Sequence, residues 1–277
     1  MSYRIDIATD SALRCFSRRR FLSQAMGAAV APCLAAATQE DKEKLPVVPK
    51  RVERAFKSPC RQPNDLQFVP EGLWILDQVD PNKALLVRPR DGSVIREIQT
   101  ESIHGSGITF GNGSLWIGST KMADPKDPPR TLKVDPTTGK TLRSWVTPGA
   151  GVWTKGANAT PSGAHGLKWV EGKYWMAVPA SGKLYLMEPE TGAIVRSIPG
   201  PGVRTHGLAW DNGYLWCIES NDRAIYKMDP KDGKLLARIQ LTREDPEPHG
   251  LDISEGVLWY CDASERPGTG GWVCRLV

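Results

Sequence analysis

Four histidines are all that the 277-residue chain contains, and a glycine follows each one: His104, His165, His206 and His249. Three of them open the same short motif, His165-Gly166-Leu167, His206-Gly207-Leu208 and His249-Gly250-Leu251. Ten residues after each of these three stands a tryptophan (Trp175, Trp216, Trp259), and three residues further on stand Val178, Glu219 and Asp262. Imidazole nitrogens near carboxylate oxygens suit borderline divalent ions such as Zn²⁺, Mn²⁺ or Fe²⁺. Three histidines that leave one position open could polarise a carbonyl or activate a water. The expected metal set is therefore His165, His206, His249, Glu219 and Asp262, with His206, His249 and Glu219 as the groups that would move a proton. The same pairs also have a purely structural reading, in which the ring bonds a backbone carbonyl and the glycine lets the next strand pass closely.

The motif belongs to a longer unit. His206-Gly207-Leu208-Ala209-Trp210 runs through Asn212-Gly213 to Trp216, then through 224–228 and Asp229-Pro230-Lys231-Asp232-Gly233 to 234–241. Alternating apolar and polar positions broken by Asn-Gly and Asp-Gly turns predict four antiparallel strands, A to D. The ten-residue interval recurs where histidine is absent, from Asn64 to Trp74 and from Ser106 to Trp116. Five copies of a unit of about 42 residues with four strands are the size of propeller blades, which bury their faces by packing radially. The fifth copy lacks its strand D, while residues 51–59 resemble the strand D segments at 94–98 and 194–199. The expected fold is all-β: a five-bladed β-propeller over 51–277, its last blade closed by an N-terminal strand. The repeated tryptophans are read as packing between sheets, and the Asp-Pro-x-x-Gly turns as connections from strand C to strand D.

This architecture positions the candidate groups. Strand A leaves one face of the ring and strand B returns to it, so the histidines at the A starts and the Asp77, Ser119, Val178, Glu219, Asp262 column at the B ends share a face. The long connections, 121–130, 147–164 and 263–271, open on that face as well. Loops gathered at one end of a rigid scaffold predict a binding mouth there.

Composition removes other classes. Formal net charge is +5, of which five arginines and two aspartates in residues 1–37 account for +3, leaving +2 for the rest. No basic run or stripe remains, so neither nucleic acid nor an anionic membrane is an expected partner. Residues 1–37 contain Arg18-Arg19-Arg20-Phe21-Leu22, then an Ala-rich apolar stretch ending in Ala35-Ala36-Ala37. This resembles a bacterial twin-arginine signal peptide, cleaved after Ala37, too short to span a bilayer, and followed by a linker at 38–50. A periplasmic or extracellular monomer is expected, without membrane insertion after signal removal. Its Cys60, Cys217, Cys261 and Cys274 form no Cys-x-x-Cys pair, and Cys60 and Cys274 are placed to approach each other near the ring closure.

His206-Gly207-Leu208-Ala209-Trp210, with Asn212-Gly213-Tyr214-Leu215-Trp216 and Ile225-Tyr226-Lys227-Met228-Asp229-Pro230, resembles a broad group of secreted bacterial propellers. That group includes YVTN-type repeats, streptogramin lyases, SMP-30/gluconolactonases and plant-type glutaminyl cyclases. The resemblance implies the fold, and no single family's catalytic residues transfer. Two functions stay open. One is a binding module for a small molecule, sugar or peptide at the central mouth, using Trp153. The other is a metal-dependent lyase or hydrolase with its His and carboxylate site on the axis.

Overall fold

Short alternating strands with Gly-centred turns cannot bury both faces of an isolated sheet, and here they do so by standing around an axis. The structure is a computed structural model that describes residues 37–155, 158–263 and 271–277. A short helix α1 (Gln39–Glu43) precedes β1 (Val52–Lys57). Blade 1 is β2 (Pro63–Val69), β3 (Gly72–Asp77), β4 (Lys83–Val87) and β5 (Val94–Gln99). Blade 2 is β6 (Ile103–Gly111), β7 (Ser114–Lys121), β8 (Arg130–Val134) and β9 (Thr141–Val146). A hairpin, β10 (Gly151–Lys155) and β11 (Asn158–Ser162), is inserted next. Blade 3 is β12 (Leu167–Val170), β13 (Lys173–Val178), β14 (Lys183–Met187) and β15 (Ile194–Pro199). Blade 4 is β16 (Thr205–Asp211), β17 (Tyr214–Glu219), β18 (Ala224–Met228) and β19 (Leu235–Gln240). Blade 5 takes β20 (Pro248–Ser254), β21 (Val257–Asp262) and β22 (Trp272–Leu276), and β1 pairs antiparallel with β22 as its outermost strand. The five-bladed ring and its closure by the N-terminal strand thus stand as the repeat requires.

Five apolar clusters hold the blades together, one for each interface. Trp74 packs with Ile108, Leu115 and Ile117 of the next blade. Trp116 and Trp175 do the same one and two blades on, against Tyr174 and Met176 and against Leu208 and Tyr226. Trp216 meets Leu251 and Tyr260, and Trp259 meets Leu66 and Ile75, which joins the last blade to the first. All five tryptophans are buried. Cys60, Cys217, Cys261 and Cys274 are buried free thiols, so Cys60 and Cys274 form no bond at the closure.

The stretch 38–50, expected to be a linker, is an ordered strap. Thr38 caps α1 in a reciprocal capping box with Asp41, an arrangement that satisfies first-turn N–H groups. The buried Lys42 ammonium pairs with Asp222 at 2.6 Å. Val48 N–H donates to the Arg238 carbonyl while Arg238 N–H donates to Pro46, so the strap covers the open edge of β19. An edge strand left bare would invite pairing with another chain.

Closure forces the innermost strands together. A Cβ on Gly107 would overlap the His165 carbonyl of the next blade, one on Gly166 the His206 carbonyl, and one on Gly207 the Leu251 amide. The His-Gly spacing is therefore steric at its glycine. Gly207→Ala should cost about 3 kcal/mol, the upper range for overpacking a core. Gly213→Ala, at a turn glycine with φ +83° and open space around it, should cost only about 1 kcal/mol. Urea denaturation of the two variants measures the difference, and equal losses would remove the close-packing argument.

Candidate functional site

The innermost strands begin with an irregularity that aims one side chain per blade at the axis. Register shifts fall between Pro63 and Asp65, Gly105 and Gly107, Thr205 and Leu208, and Pro248 and Gly250. Asn64, Ser106, His206 and His249 lie within these shifts, and His165 takes the equivalent place just before β12. A bulge twists the strand locally and redirects a side chain. The result is a ring of five residues at one depth. The His165 and His206 ring centroids are 4.8 Å apart and those of His206 and His249 are 3.8 Å apart.

Above this ring lies a cavity of about 620 Å³. His165, His206 and His249 form its floor, Gln78, Thr120 and Ser162 stand on its wall, and Lys121, Arg204 and Trp153 reach its rim. The hairpin expected only as a long loop supplies Trp153, whose indole N–H donates to the Val203 carbonyl at 3.0 Å on the approach to blade 4. His104 also lines the cavity, held at φ +55° with its N–H on the Asn82 side-chain oxygen.

Below the ring the axis is filled. Asp65 stands where the other blades have glycine, and it is fully buried. Its carboxylate accepts N–H bonds from Ile108, Leu167 and Leu251, on three other blades. Burial, the largest influence, raises its pKa well above the usual carboxylate range, while these N–H groups pull it down. One layer further, Asp252 pairs with Lys168 and accepts from the Gln67 amide at 3.0 Å, while Thr109 Oγ1 donates to Gln67 at 2.7 Å. Among the described residues the axis below the cavity is thus filled by buried side chains, which makes the cavity blind on that side.

The histidines are held as neutral rings. His206 Nδ1 lies 2.9 Å from the Arg204 carbonyl, which can only accept, so Nδ1 carries the proton and Nε2 keeps its lone pair. Ser220 Oγ, which donates to the Pro248 carbonyl, takes a second bond from the same Nδ1 at 3.0 Å. The His249 ring is bonded to the Asn64 backbone, and its Nδ1 has no partner. His165 Nε2 meets Ser162 Oγ at 3.1 Å, and its Nδ1 is likewise unpartnered. Desolvation lowers all four: His104 to about 4, His165 to about 3, and His206 and His249 well below 6.5.

The expected carboxylates do not join the histidines at the cavity. Glu219 turns to the connection in front of its own blade, where it accepts the Arg204 N–H at 2.8 Å and the Asn221 N–H at 3.3 Å. Asp77 does the same for Arg61 and Gln62, and Ser119 for Ile103. Burial raises the Glu219 pKa against the pull of these bonds. Asp262 is buried at the end of β21, and its carbonyl accepts the Gly271 N–H. Among the described residues no group of three His, Cys, Asp or Glu side chains stands in metal-holding geometry. The set His165, His206, His249, Glu219, Asp262 therefore does not fit a metal shell as it is arranged here. Sequence reasoning found the histidines and missed Asp65, Gln67, Lys168 and Asp252, although each lies one or three positions after the histidine column.

The histidine burial has a pH signature. In the unfolded chain these rings gain a proton as pH falls through 6.5, whereas folded His104 and His165 resist until about 4 and about 3. Protons then favour unfolding, so stability that is full above pH 6.5 is lost as pH falls toward 4, by about 2 kcal/mol at pH 5 for each ring held neutral. Ring NMR signals should stay flat from pH 8 to 5.5, and a titration midpoint near 6.5 would refute the burial. No protein-family model matches the chain, and no curated protein matches it. Solved structures do. A glutaminyl cyclase from Myxococcus xanthus superposes with a TM-score of 0.60 at 12% identity, over 83% of this chain and 97% of that one. An oxidoreductase from Thermus thermophilus, assigned as a glucose dehydrogenase, gives 0.55 at 13%, over 83% and 100%. A streptogramin B lyase gives 0.47 at 14%, over 82% and 97%. At such identities the likeness is one of fold, and the fold that this chain shares with the first two is the β-propeller.

Proposed function

We propose that the protein is a binding module that takes a small polar ligand into the blind cavity at the centre of its ring. The observation that supports this most is the floor: three neutral imidazoles meet there, and the Nδ1 atoms of His165 and His249 are buried without a partner. A buried polar atom left unbonded costs about 1–3 kcal/mol, so a ligand that bonds to it recovers that cost. A cavity of about 620 Å³ with few converging polar groups has the dimensions of a small-molecule site.

The metal-dependent lyase or hydrolase reading has less support, since Glu219 is committed to backbone N–H groups. Proton transfer by the histidines is disfavoured too. A ring whose pKa lies far below neutral is a weak base at pH 7, and catalytic bases are usually tuned toward the working pH. The Arg18-Arg19-Arg20-Phe21-Leu22 segment, which lies outside the described residues, supports a periplasmic or extracellular site of action.

The test is a thermal-shift panel of hexoses, dipeptides, small carboxylates and divalent cations on the purified mature chain. At least one organic class should raise Tm by a few degrees. That response should vanish in His206→Ala and weaken in Trp153→Ala, whose rim position leaves the core intact. A wild type unmoved by every organic class would sink the reading. A response confined to Zn²⁺ or Mn²⁺ would restore the metal alternative.

A further inference from the structure

Resting on that binding reading, we infer that the ligand is a polyhydroxy carboxylate of sugar-acid type, its hydroxyls on the histidine floor and its carboxylate at Lys121. The charge of the lining comes first. Arg204 Nη1 is paired with Glu247 Oε1 at 2.7 Å. Glu247 is the only carboxylate among the described lining residues, and the Lys121 ammonium has no ion pair among the described residues. With the histidines neutral, the described lining carries a surplus of one positive charge, and it sits at the rim. An anionic group fits there. Among the described lining residues Lys121 is the single cation without an ion pair, and one cation suits a monovalent carboxylate better than a phosphate dianion.

The floor asks for the opposite chemistry. His206 Nε2 is a lone pair, because its Nδ1 proton is committed to the Arg204 carbonyl. His249 is more than nine-tenths buried, lines the cavity and leaves Nδ1 without a partner. Beside it, the buried Asn64 amide has both its oxygen and its nitrogen unpartnered. The free nitrogens of His206 and His249 accept hydrogen bonds, while the Asn64 amide accepts at its oxygen and donates at its nitrogen, so a group that both gives and takes hydrogen bonds matches them. Among the described lining residues an ammonium head would find no free carboxylate to neutralise it, since Glu247 pairs with Arg204. Hydroxyl groups need no such partner. A ring-sized ligand with hydroxyls at one end and a carboxylate at the other also presents carbon–hydrogen faces to the Trp153 indole at the rim.

Three matched probes separate these elements: D-glucuronate, D-glucose, which lacks the charge, and cyclohexanecarboxylate, which lacks the hydroxyls. Calorimetric titration at pH 7 and low salt should give glucuronate a Kd at least tenfold below both others. Lys121→Gln, an exposed change that leaves the core untouched, should weaken glucuronate about fivefold and leave glucose unchanged. Glucose binding as tightly as glucuronate, or an unaffected Lys121→Gln, overturns the carboxylate assignment. Cyclohexanecarboxylate binding equally well overturns the hydroxyl assignment. If none of the three binds, the sugar-acid class is wrong outright. A thermal response to dipeptides or other carboxylates would then preserve the binding module, and a silent panel would remove it as well.

Discussion

Everything at the centre of this molecule follows from how closely five blades bring their inner strands. The ring is so tight that a side chain cannot stand at the second position of the inner strand in four of the blades, where glycines face the backbone of the next blade. Blade 1 breaks the rule with Asp65, and its carboxylate occupies the shared space the glycines leave. A buried carboxylate would be expensive if it met apolar groups. Here it meets backbone N–H groups from three other blades, so one side chain both fills the axis and links strands distant in sequence. Because Asp65 and the Asp252–Lys168 pair fill the lower axis, the upper part becomes a cavity with one opening rather than a pore.

Columns of the repeat divide by purpose. The tryptophan column is uniform in all five blades because every interface presents the same gap, and an apolar ring fills it each time. The column at the end of the second strand varies in residue type, and three of its members work alike: Asp77, Ser119 and Glu219 each accept a backbone N–H bond from the segment that enters their own blade. Asp77 and Glu219 therefore have a structural task at the entry to their own blades. The axis column is the one that varies in chemistry, as Asn64, Ser106, His165, His206 and His249. A site can differ around the ring only where the scaffold places no demand of its own.

Much of this could be read from the residues. Repeat spacing gave blade number, closure by residues 51–59 and burial of the tryptophans, because each depends on a periodicity that local sequence carries. The convergence of His165, His206 and His249 followed from the same alignment. The bulges that aim them did not, since a bulge is fixed by how two strands pair around an already closed ring. Nor did the axial plug: Gln67, Lys168 and Asp252 each fall three positions after the histidine column, but that interval does not say that they meet across blades. The strap at 38–50 looks like a polar linker because its anchors, Asp222 and Arg238, lie in blade 4. Carboxylates at Glu219 and Asp262 shared a face with the histidines, as the topology required, but a shared face does not fix where a side chain turns.

The plug also sets the electrostatics of the floor. A water-filled channel would solvate the imidazoles from below and let them titrate near their ordinary range. With Asp65 and its N–H partners beneath them and strands on every side, desolvation dominates, and each ring is lowered chiefly by burial rather than by the nearby Arg204. Neutral imidazoles offer lone pairs without charge at the floor, while the charged groups, Lys121 and the Arg204–Glu247 pair, stand at the rim. The two kinds of group sit on different parts of the fold. The floor rests on inner strands that closure holds rigid, whereas the rim rests on connections such as the β10–β11 hairpin, tied down by the Trp153 bond to Val203. Substitutions at the rim should therefore leave the ring undisturbed, while substitutions at the floor act on the scaffold itself.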